Sequence, residues 1–212
     1  MTGMVKVGIV GTGFVGDSHH AAFSGWVHNA EVVAVASPNN ADKFAKAKGV
    51  AKSYADYRDM LKDKEIGLID IGIPNDLHCQ VVVDAARAGK HVIIEKPFTG
   101  FYGSGRDDFR GNSFPKEAML RQAIASCDRI LAAARESGKK ICYAENWVYA
   151  PAFAKLRRLA QAAGGTILRM LREAGGDPII IRWIVFSSDL DREKEALGSA
   201  NEFLTGAREK EI

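Results

Sequence analysis

Six residues near the N-terminus have the composition and spacing of a phosphate-binding turn: Gly11, Thr12, Gly13, Phe14, Val15 and Gly16. The turn directly follows an apolar run, Val5 to Val10, and opens a segment with helical periodicity, which is the context that makes GxGxxG informative. Gly11 would make the tight turn, Gly13 would let the backbone approach a pyrophosphate, and Gly16 would let the helix pack closely on the strand. The motif therefore predicts a dinucleotide site, and the alternative is a glycine-rich turn without a ligand.

The residues after the second apolar run bear on which dinucleotide would bind. An acidic residue there would accept hydrogen bonds from the ribose hydroxyls and repel a 2′-phosphate. This chain instead has Ser37-Pro38-Asn39-Asn40, and its first carboxylate is Asp42. Ser37 and Asn39 can bond either a free ribose or a phosphate, and Lys43 is either a phosphate contact or a solvated helix residue. Both NAD and NADP therefore stay open as the cofactor.

Short apolar runs alternate with amphipathic segments, and this alternation predicts the elements that hold these residues. The runs are rich in β-branched residues, as strands buried on both faces of a parallel sheet are: Val5–Val10, Val32–Ala36, Leu68–Ile73, His91–Ile94 and Ile141–Ala144. Several of the helical segments end at Gly: Phe14–Phe23, Asn40–Lys48, Tyr54–Lys62, Leu77–Ala88 and Lys116–Ser137. Strands joined by right-handed helical crossovers give a doubly wound α/β parallel sheet, which we expect over residues 1–148.

One stretch, Thr99 to Pro115, fits neither periodicity and contains four glycines and four aromatic residues. Loops of this length are usually functional or disordered. Because the stretch follows the carboxyl end of a strand, where ligands bind in open α/β sheets, we favour a loop on the substrate side over an inert insertion.

Composition is that of an ordinary soluble globular protein, with 47% hydrophobic and 26% charged residues. Lys and Arg outnumber Asp and Glu by only 29 to 26 and form no long block, so nothing indicates a nucleic-acid partner. The three cysteines form no CxxC pair, which argues against a disulfide framework or a metal site. Without a secretory signal or a membrane-length apolar run, the expected location is cytoplasmic, away from membranes.

Two further motifs follow later strands: Pro74-Asn75 with His78 three residues on, and Glu95-Lys96-Pro97. With the glycine turn, in this order and spacing, they make the first 150 or so residues resemble the Gfo/Idh/MocA family of NAD(P)-dependent oxidoreductases. The resemblance implies an N-terminal Rossmann domain and a C-terminal α/β domain that binds a sugar, polyol or related hydroxy substrate and often mediates homo-oligomer formation.

By this resemblance, Pro74, Asn75 and His78 would contact the cofactor around its adenosine and nicotinamide ribose. Glu95 and Lys96 would lie beside the nicotinamide, and a cis or trans Pro97 would set the turn. Lys96 is the expected catalytic residue, because hydride transfer from a carbinol needs a base for the hydroxyl proton and a cation for the developing alkoxide. For Lys96 the alternative is a surface lysine, and for His78 it is a capping or packing role.

The segment from Tyr143 to Pro151 resembles the family's crossing into the second domain. There Glu145 and Asn146 would reach the cofactor and Tyr149 the substrate, although Trp147 and Tyr149 can equally be packing aromatics between domains. Residues 149–212 are expected to begin a small, truncated or rearranged α+β domain. They would hold a helix at Phe153–Ala163, strands at Thr166–Leu171 and Ile179–Ser187, and a helix at Asp191–Leu204.

All five histidines lie in the first 91 residues, whereas the family pairs its lysine with a histidine of the second domain. The leading expectation is therefore an NAD(P)-dependent oxidoreductase with an intact cofactor domain and an altered catalytic centre. A non-catalytic dinucleotide-binding module is the first alternative, and a Rossmann-like interaction protein without a ligand is the second.

Overall fold

The first part of the chain folds around one six-stranded parallel sheet. The computed structural model describes residues 3–106, 108–146, 150–151, 155, 158, 170–174 and 177–181. The strands are β1 (Val5–Val10), β2 (Ala30–Ala36), β3 (Lys52–Tyr54), β4 (Leu68–Ile71), β5 (His91–Glu95) and β6 (Ile141–Ala144). The helices are α1 (Phe14–Trp26), α2 (Ala41–Lys48), α3 (Tyr57–Leu61), α4 (His78–Arg87) and α5 (Lys116–Ser137). The strand order is β3-β2-β1-β4-β5-β6, so the chain reverses direction across the sheet between β3 and β4. The predicted doubly wound parallel sheet is confirmed.

Apolar side chains on both faces of the central strands explain why the sheet is buried. One cluster joins strand residues such as Ile69 and Ile94 to Val82 of α4 and Ile130 of α5, all at 0% exposure. A smaller cluster on Ile9 and Val35 is covered by α2, chiefly through the residues Ala41, Phe44 and Ala45. Helices therefore cover the sheet from two sides, as continuous β-branched runs require.

The region between β2 and β4 differs from the sequence-based prediction. The helix predicted over Tyr54–Lys62 is confirmed only as the shorter helix α3, and its first residue, Tyr54, ends a strand, β3, that was not predicted. β3 pairs with β2 through Ala34↔Lys52 to Ala36↔Tyr54, and the carboxylate of Asp56 then accepts a hydrogen bond from the main-chain N–H of Arg58 at 2.8 Å. An N-cap at Asp56 starts the helix there, which ends the extended segment before it.

Two predicted ends also moved. α1 continues three residues past the expected end at Phe23, to Trp26. β4 ends at Ile71 and not at Ile73, since the chain bends at Ile73, after the N–H of Gly72 has donated to the carbonyl oxygen of Val10 at 2.9 Å.

A buried lysine fixes the connection from α3 to β4. Lys90 is 6% exposed, and its ammonium donates to the carbonyl oxygens of Asp63 at 2.6 Å and Ile66 at 2.8 Å. Burial lowers the pKa of Lys90. The ammonium of Lys90 therefore links two main-chain carbonyl groups of this connection.

The loop after β5 has a small apolar core of its own. Phe101, Phe109 and Phe114 pack together with ring centroids 5.0 to 5.7 Å apart. Gly103 has a φ of +83°, and a Cβ there would lie 2.4 Å from Phe109. The aromatic residues that break the sequence periodicity thus hold the loop together, while its predicted place on the substrate side stays a prediction.

The chain divides into two compact units, Met1–Glu145 and Asn146–Ile212. In the second unit, β7 (Met170–Ala174) and β8 (Asp177–Ile181) form an antiparallel pair. They only partly overlap the strands predicted at Thr166–Leu171 and Ile179–Ser187. The predicted helix Asp191–Leu204 and most of the helix Phe153–Ala163 lie outside the described residues. In the described part of the chain, no helix has both the length and the apolarity needed to cross a bilayer.

Candidate functional site

The glycine-rich turn joins β1 to α1, and two of its glycines are required by packing. Gly11 has a φ of +104°, and a Cβ there would lie 2.3 Å from the carbonyl oxygen of Gly72. A Cβ on Gly16 would lie 2.0 Å from the carbonyl oxygen of Gly11. Any side chain at Gly11 or Gly16 would therefore push α1 or the turn after β4 away from β1.

Gly13 differs from these two glycines. Its backbone is extended, with φ −85° and ψ −164°, a conformation open to any residue. A Cβ on Gly13 would meet no protein atom within 4 Å. Gly13 is also the N-cap of α1 and has no side chain to bond the first N–H groups of the helix. Neither strain nor packing within the described protein explains a glycine here, whereas close approach of an anionic ligand does.

The other residues of the turn lie on different sides of it. Thr12 lines the pocket described next, and Phe14 projects into solvent with 87% of its surface exposed. Val15 packs against Gly72, where a Cβ would lie 2.8 Å from its Cγ1. Val15 therefore holds the turns after β1 and β4 together, and a direct cofactor contact by Phe14 or Val15 stays a prediction.

A pocket of about 780 Å³ opens beside this turn, at the carboxyl ends of β1, β2 and β4. Gly11, Thr12 and Gly13 line one side, and Gly72, Ile73 and Pro74 line another. Asn75 is exposed in the short turn Asn75–Leu77 that follows Pro74. The volume lies within the range of small-molecule sites.

The far side of the pocket includes Ser37, as predicted for the ribose-binding end, together with three residues that the sequence analysis did not single out: Asp56, Tyr57 and Arg58. The guanidinium of Arg58 lies 4.9 Å from the ring centroid of Tyr57 and 3.1 Å from a carboxylate oxygen of Asp56. The hydroxyl of Tyr57 donates to Asp84 at 2.7 Å. The signal that could have found them is the Asp-Tyr-Arg run at a capped helix start, which the misplaced start of the predicted helix hid.

His78 is buried and connects two of the predicted motifs. It is 1% exposed, with Nδ1 2.9 Å from the carbonyl oxygen of Pro97 and Nε2 3.1 Å from that of Ile73. Both ring nitrogens face main-chain oxygens, so His78 links the turn after β4 to the turn after β5. A contact between His78 and the cofactor stays a prediction.

Glu95 ends β5, and Lys96 follows as an exposed side chain. The Lys96–Pro97 peptide bond is cis, one of the two forms that the sequence left open. One carboxylate oxygen of Glu95 accepts a hydrogen bond from the main-chain N–H of Lys96 at 3.0 Å. Asn146 is exposed and begins the second unit, so its cofactor contact stays a prediction.

Sequence reasoning also missed a pair of residues behind Glu95. Nδ1 of His19 lies 2.8 Å from a carboxylate oxygen of Asp70, and Nε2 of the same ring lies 3.3 Å from Glu95. Asp70 is 1% exposed in the middle of β4. A lone acid within the apolar run Leu68–Ile71 was the available signal. Among the described residues, no group of three or more His, Cys, Asp or Glu side chains is arranged to hold a metal ion.

The strand order, the pocket at the point where the chain direction reverses, and the glycine turn define a dinucleotide-binding Rossmann domain. A dinucleotide fits the residues present, because Gly13 leaves open the space that a Cβ would fill and the start of α1 offers N–H groups to phosphate. Residues 5–106 match the family model described as "Oxidoreductase family, NAD-binding Rossmann fold". Over these residues, just under half of its length, the chain therefore matches the Gfo/Idh/MocA family.

Curated relatives agree with this assignment. The levoglucosan dehydrogenase of Pseudarthrobacter phenanthrenivorans is 37% identical over 102 residues, covering 44% of this chain and 26% of that protein. The inositol 2-dehydrogenase of Salmonella typhimurium is 31% identical over 143 residues, covering 65% of this chain and 35% of that protein. The matched segments thus span about a quarter to a third of these relatives.

Solved structures show the same fold. A levoglucosan dehydrogenase in complex with NADH superposes with a TM-score of 0.60 at 25% identity, covering 75% of this chain and 39% of that one. The apo scyllo-inositol dehydrogenase from Lactobacillus casei gives a TM-score of 0.62 at 23% identity, covering 77% and 43%. The predicted resemblance is confirmed for the NAD-binding Rossmann domain, and the predicted class of cofactor, a nicotinamide dinucleotide, is confirmed with it.

Proposed function

We propose that the first unit binds its nicotinamide dinucleotide in the pocket at the carboxyl ends of β1, β2 and β4. Gly13 carries this proposal, because it is the pocket glycine that neither backbone strain nor packing requires. The pyrophosphate would lie on the turn from Gly11 to Gly16, where main-chain N–H groups and the positive end of the α1 dipole favour an anion. Pro74 and Asn75 would contact the cofactor from the turn after β4, with Asn146 as a further contact.

We propose weak discrimination between NAD and NADP. The description of the family model and the NADH complex of the levoglucosan dehydrogenase support NAD. At the opposite side of the pocket, Ser37 carries no charge that would repel a 2′-phosphate, and the cationic Arg58 lines the same wall. A neutral residue and a guanidinium together tolerate the extra phosphate.

The reaction that we propose is oxidation or reduction at a hydroxyl-bearing carbon of a sugar or polyol, with the bound cofactor accepting or supplying the hydride. The levoglucosan and inositol dehydrogenases among the relatives support this substrate class. Lys96 is the proposed catalytic residue, since its exposed amine follows the strand end directly and can exchange a proton with the substrate hydroxyl. In its charged form Lys96 would stabilise an alkoxide.

A second candidate is binding of the dinucleotide without turnover. The absence of any histidine after His91 favours it, because the family's lysine works with a histidine of the second domain. We also propose a cytoplasmic location, which the three free cysteines of the described chain fit, and a homo-oligomer. Cell fractionation and light scattering test these two points.

Titration with NADH and NADPH, followed by cofactor fluorescence, tests the proposed binding. We expect saturable binding by the wild-type chain, which Gly13→Val abolishes. Incubation with NAD or NADP and a panel of sugars and polyols, followed at the absorbance of the reduced cofactor, separates the two candidates. Binding without any reduction of the cofactor supports the second candidate, and the absence of binding contradicts both.

A further inference from the structure

Asp70 is a carboxylic acid in the interior of the sheet. It belongs to the central strand β4, where its neighbours in register are Ile9 of β1 and Ile93 of β5, and it is 1% exposed. Burying a carboxylate among apolar residues is costly unless a partner compensates its charge. The partner is His19 of α1, at 2.8 Å, while the second oxygen of Asp70 has no hydrogen-bond partner among the residues that the structure describes.

His19 also faces a second acid. Its other ring nitrogen lies 3.3 Å from a carboxylate oxygen of Glu95, at the end of β5. Ionised carboxylates only accept hydrogen bonds, so the ring can bond both acids only with a proton on each nitrogen. The hydrogen bond to Asp70 raises the pKa of His19, and the charges of Asp70 and Glu95 raise it further, against the opposing effect of burial.

Glu95 also contacts the main chain of Lys96. One of its oxygens faces His19, and the other accepts the main-chain N–H of Lys96 at 3.0 Å. A continuous series of polar contacts thus joins Asp70, His19, Glu95 and the backbone of Lys96. It runs from the sheet interior to the end of β5.

We propose that His19 is a positioning residue that clamps Glu95 against buried Asp70 and thereby fixes the Lys96 turn at the nicotinamide end of the site. The inference rests on the proposed function, since it concerns how that site is held. It adds His19 and Asp70, which do not line the pocket, to the residues on which cofactor binding depends.

The clamp makes cofactor affinity depend on pH in a defined direction. A histidine whose pKa is raised in the folded protein contributes its full stabilisation below the unfolded value, near 6.5, and loses it as the pH rises through the folded value. The charged groups facing the ring are Asp70 from β4 and Glu95 from β5. His20 is a matched control, because it packs edge-on against Phe44 and its pKa is lowered, chiefly by burial.

The first arm of the test is an NMR titration of the histidine ring protons in the 212-residue chain. His19→Gln identifies the His19 resonance among the five histidines. We expect Glu95→Gln to lower the midpoint of His19, because one of its two carboxylate partners loses its charge. An unchanged midpoint overturns the bridge to Glu95, and this arm needs no cofactor.

The second arm measures NADH affinity from pH 6 to pH 9. Wild-type affinity should fall as the pH rises through the His19 midpoint. His19→Gln should bind about tenfold more weakly at pH 6, the effect of losing one hydrogen bond to a charged group, and should lose this pH dependence. His20→Gln should keep the wild-type profile.

The outcomes separate the two proposals. Failure of the wild-type chain to bind NADH contradicts the proposed function, and the clamp's role in binding falls with it. NADH binding with the same pH profile in wild type and His19→Gln contradicts the clamp alone. If His19→Gln does not fold, Glu95→Gln replaces it in the second arm, with the same loss of pH dependence expected.

Discussion

Substitution should have different effects at two glycines of the same turn. It should destabilise the fold at Gly16 and weaken dinucleotide binding at Gly13. At Gly16 a Cβ would lie 2.0 Å from a main-chain carbonyl oxygen, so the helix and the turn must separate by roughly 1 Å. Overpacking of this kind costs about 1–3 kcal/mol. We therefore expect Gly16→Ala to lower the midpoint of thermal unfolding by about 4–8 °C, for a loss near 2 kcal/mol.

Gly13→Val should leave that midpoint nearly unchanged, because a Cβ at this position meets no protein atom within 4 Å and the backbone is extended. Its stability cost, a poorer N-cap, is under about 1 kcal/mol. Loss of two hydrogen bonds from main-chain N–H groups to a pyrophosphate, at about 1.5 kcal/mol each, should weaken dinucleotide binding at least about 100-fold.

The assay is thermal unfolding followed by circular dichroism, paired with NADH titration by fluorescence. Gly25→Val is the matched control, since Gly25 lies on the same helix, has equally open space around it and does not line the pocket. It should keep both wild-type stability and wild-type affinity. Unchanged NADH affinity in Gly13→Val, with normal folding, would refute the assignment of the pyrophosphate to this turn.

Three further predictions concern the rest of the first unit. Ser37→Asp should weaken NADPH binding much more than NADH binding, through charge repulsion with the 2′-phosphate, and equal effects in the two titrations would show that Ser37 does not face the ribose. Lys90→Met should lower the free energy of unfolding in urea by about 1–3 kcal/mol because it removes hydrogen bonds to two main-chain carbonyl groups, one of them in a buried contact. The exposed Lys62→Met should cost under about 0.5 kcal/mol. The 212-residue chain should turn over polyols slowly or undetectably, since loss of a general acid/base lowers the rate about 10²- to 10⁴-fold. Lys96→Ala should therefore change the rate little, and robust turnover that depends on Lys96 would contradict this prediction.

The parallel sheet could be predicted because each buried strand is a local pattern. A run such as Val5–Val10 is nearly continuous in hydrophobicity, which occurs when both faces of a strand are covered. β3 was missed for the opposite reason. Its three residues, Lys52, Ser53 and Tyr54, carry no apolar alternation, and the strand exists because it pairs with β2 at the sheet edge. That pairing is a tertiary contact that no short window of sequence contains.

The same distinction separates the site residues that were predicted from those that were not. Gly11, Ser37 and Lys96 follow strands directly, so motif and position along the chain identify them. His19 and Asp70 are 51 residues apart, and they meet because α1, which packs against β1 and β2, places His19 beside the neighbouring strand β4. Sequence spacing cannot show which strand a helix residue will face, although an acid inside an apolar strand signals that some partner must exist.

Helix α1 joins the two ends of the proposed site. Its first residues carry the phosphate-binding turn, and six residues after Gly13 the same helix presents His19 to Asp70 and Glu95. At 1.5 Å per residue, these points lie about 9 Å apart along the helix axis. Gly11 and Gly16 hold the helix tightly against β1 and the turn at Gly72, because neither position has room for a Cβ. The packing that fixes α1 on the sheet thus also fixes the spacing between the phosphate-binding turn and the turn at Lys96. A substitution that shifts α1 should therefore weaken the cofactor contacts of both turns.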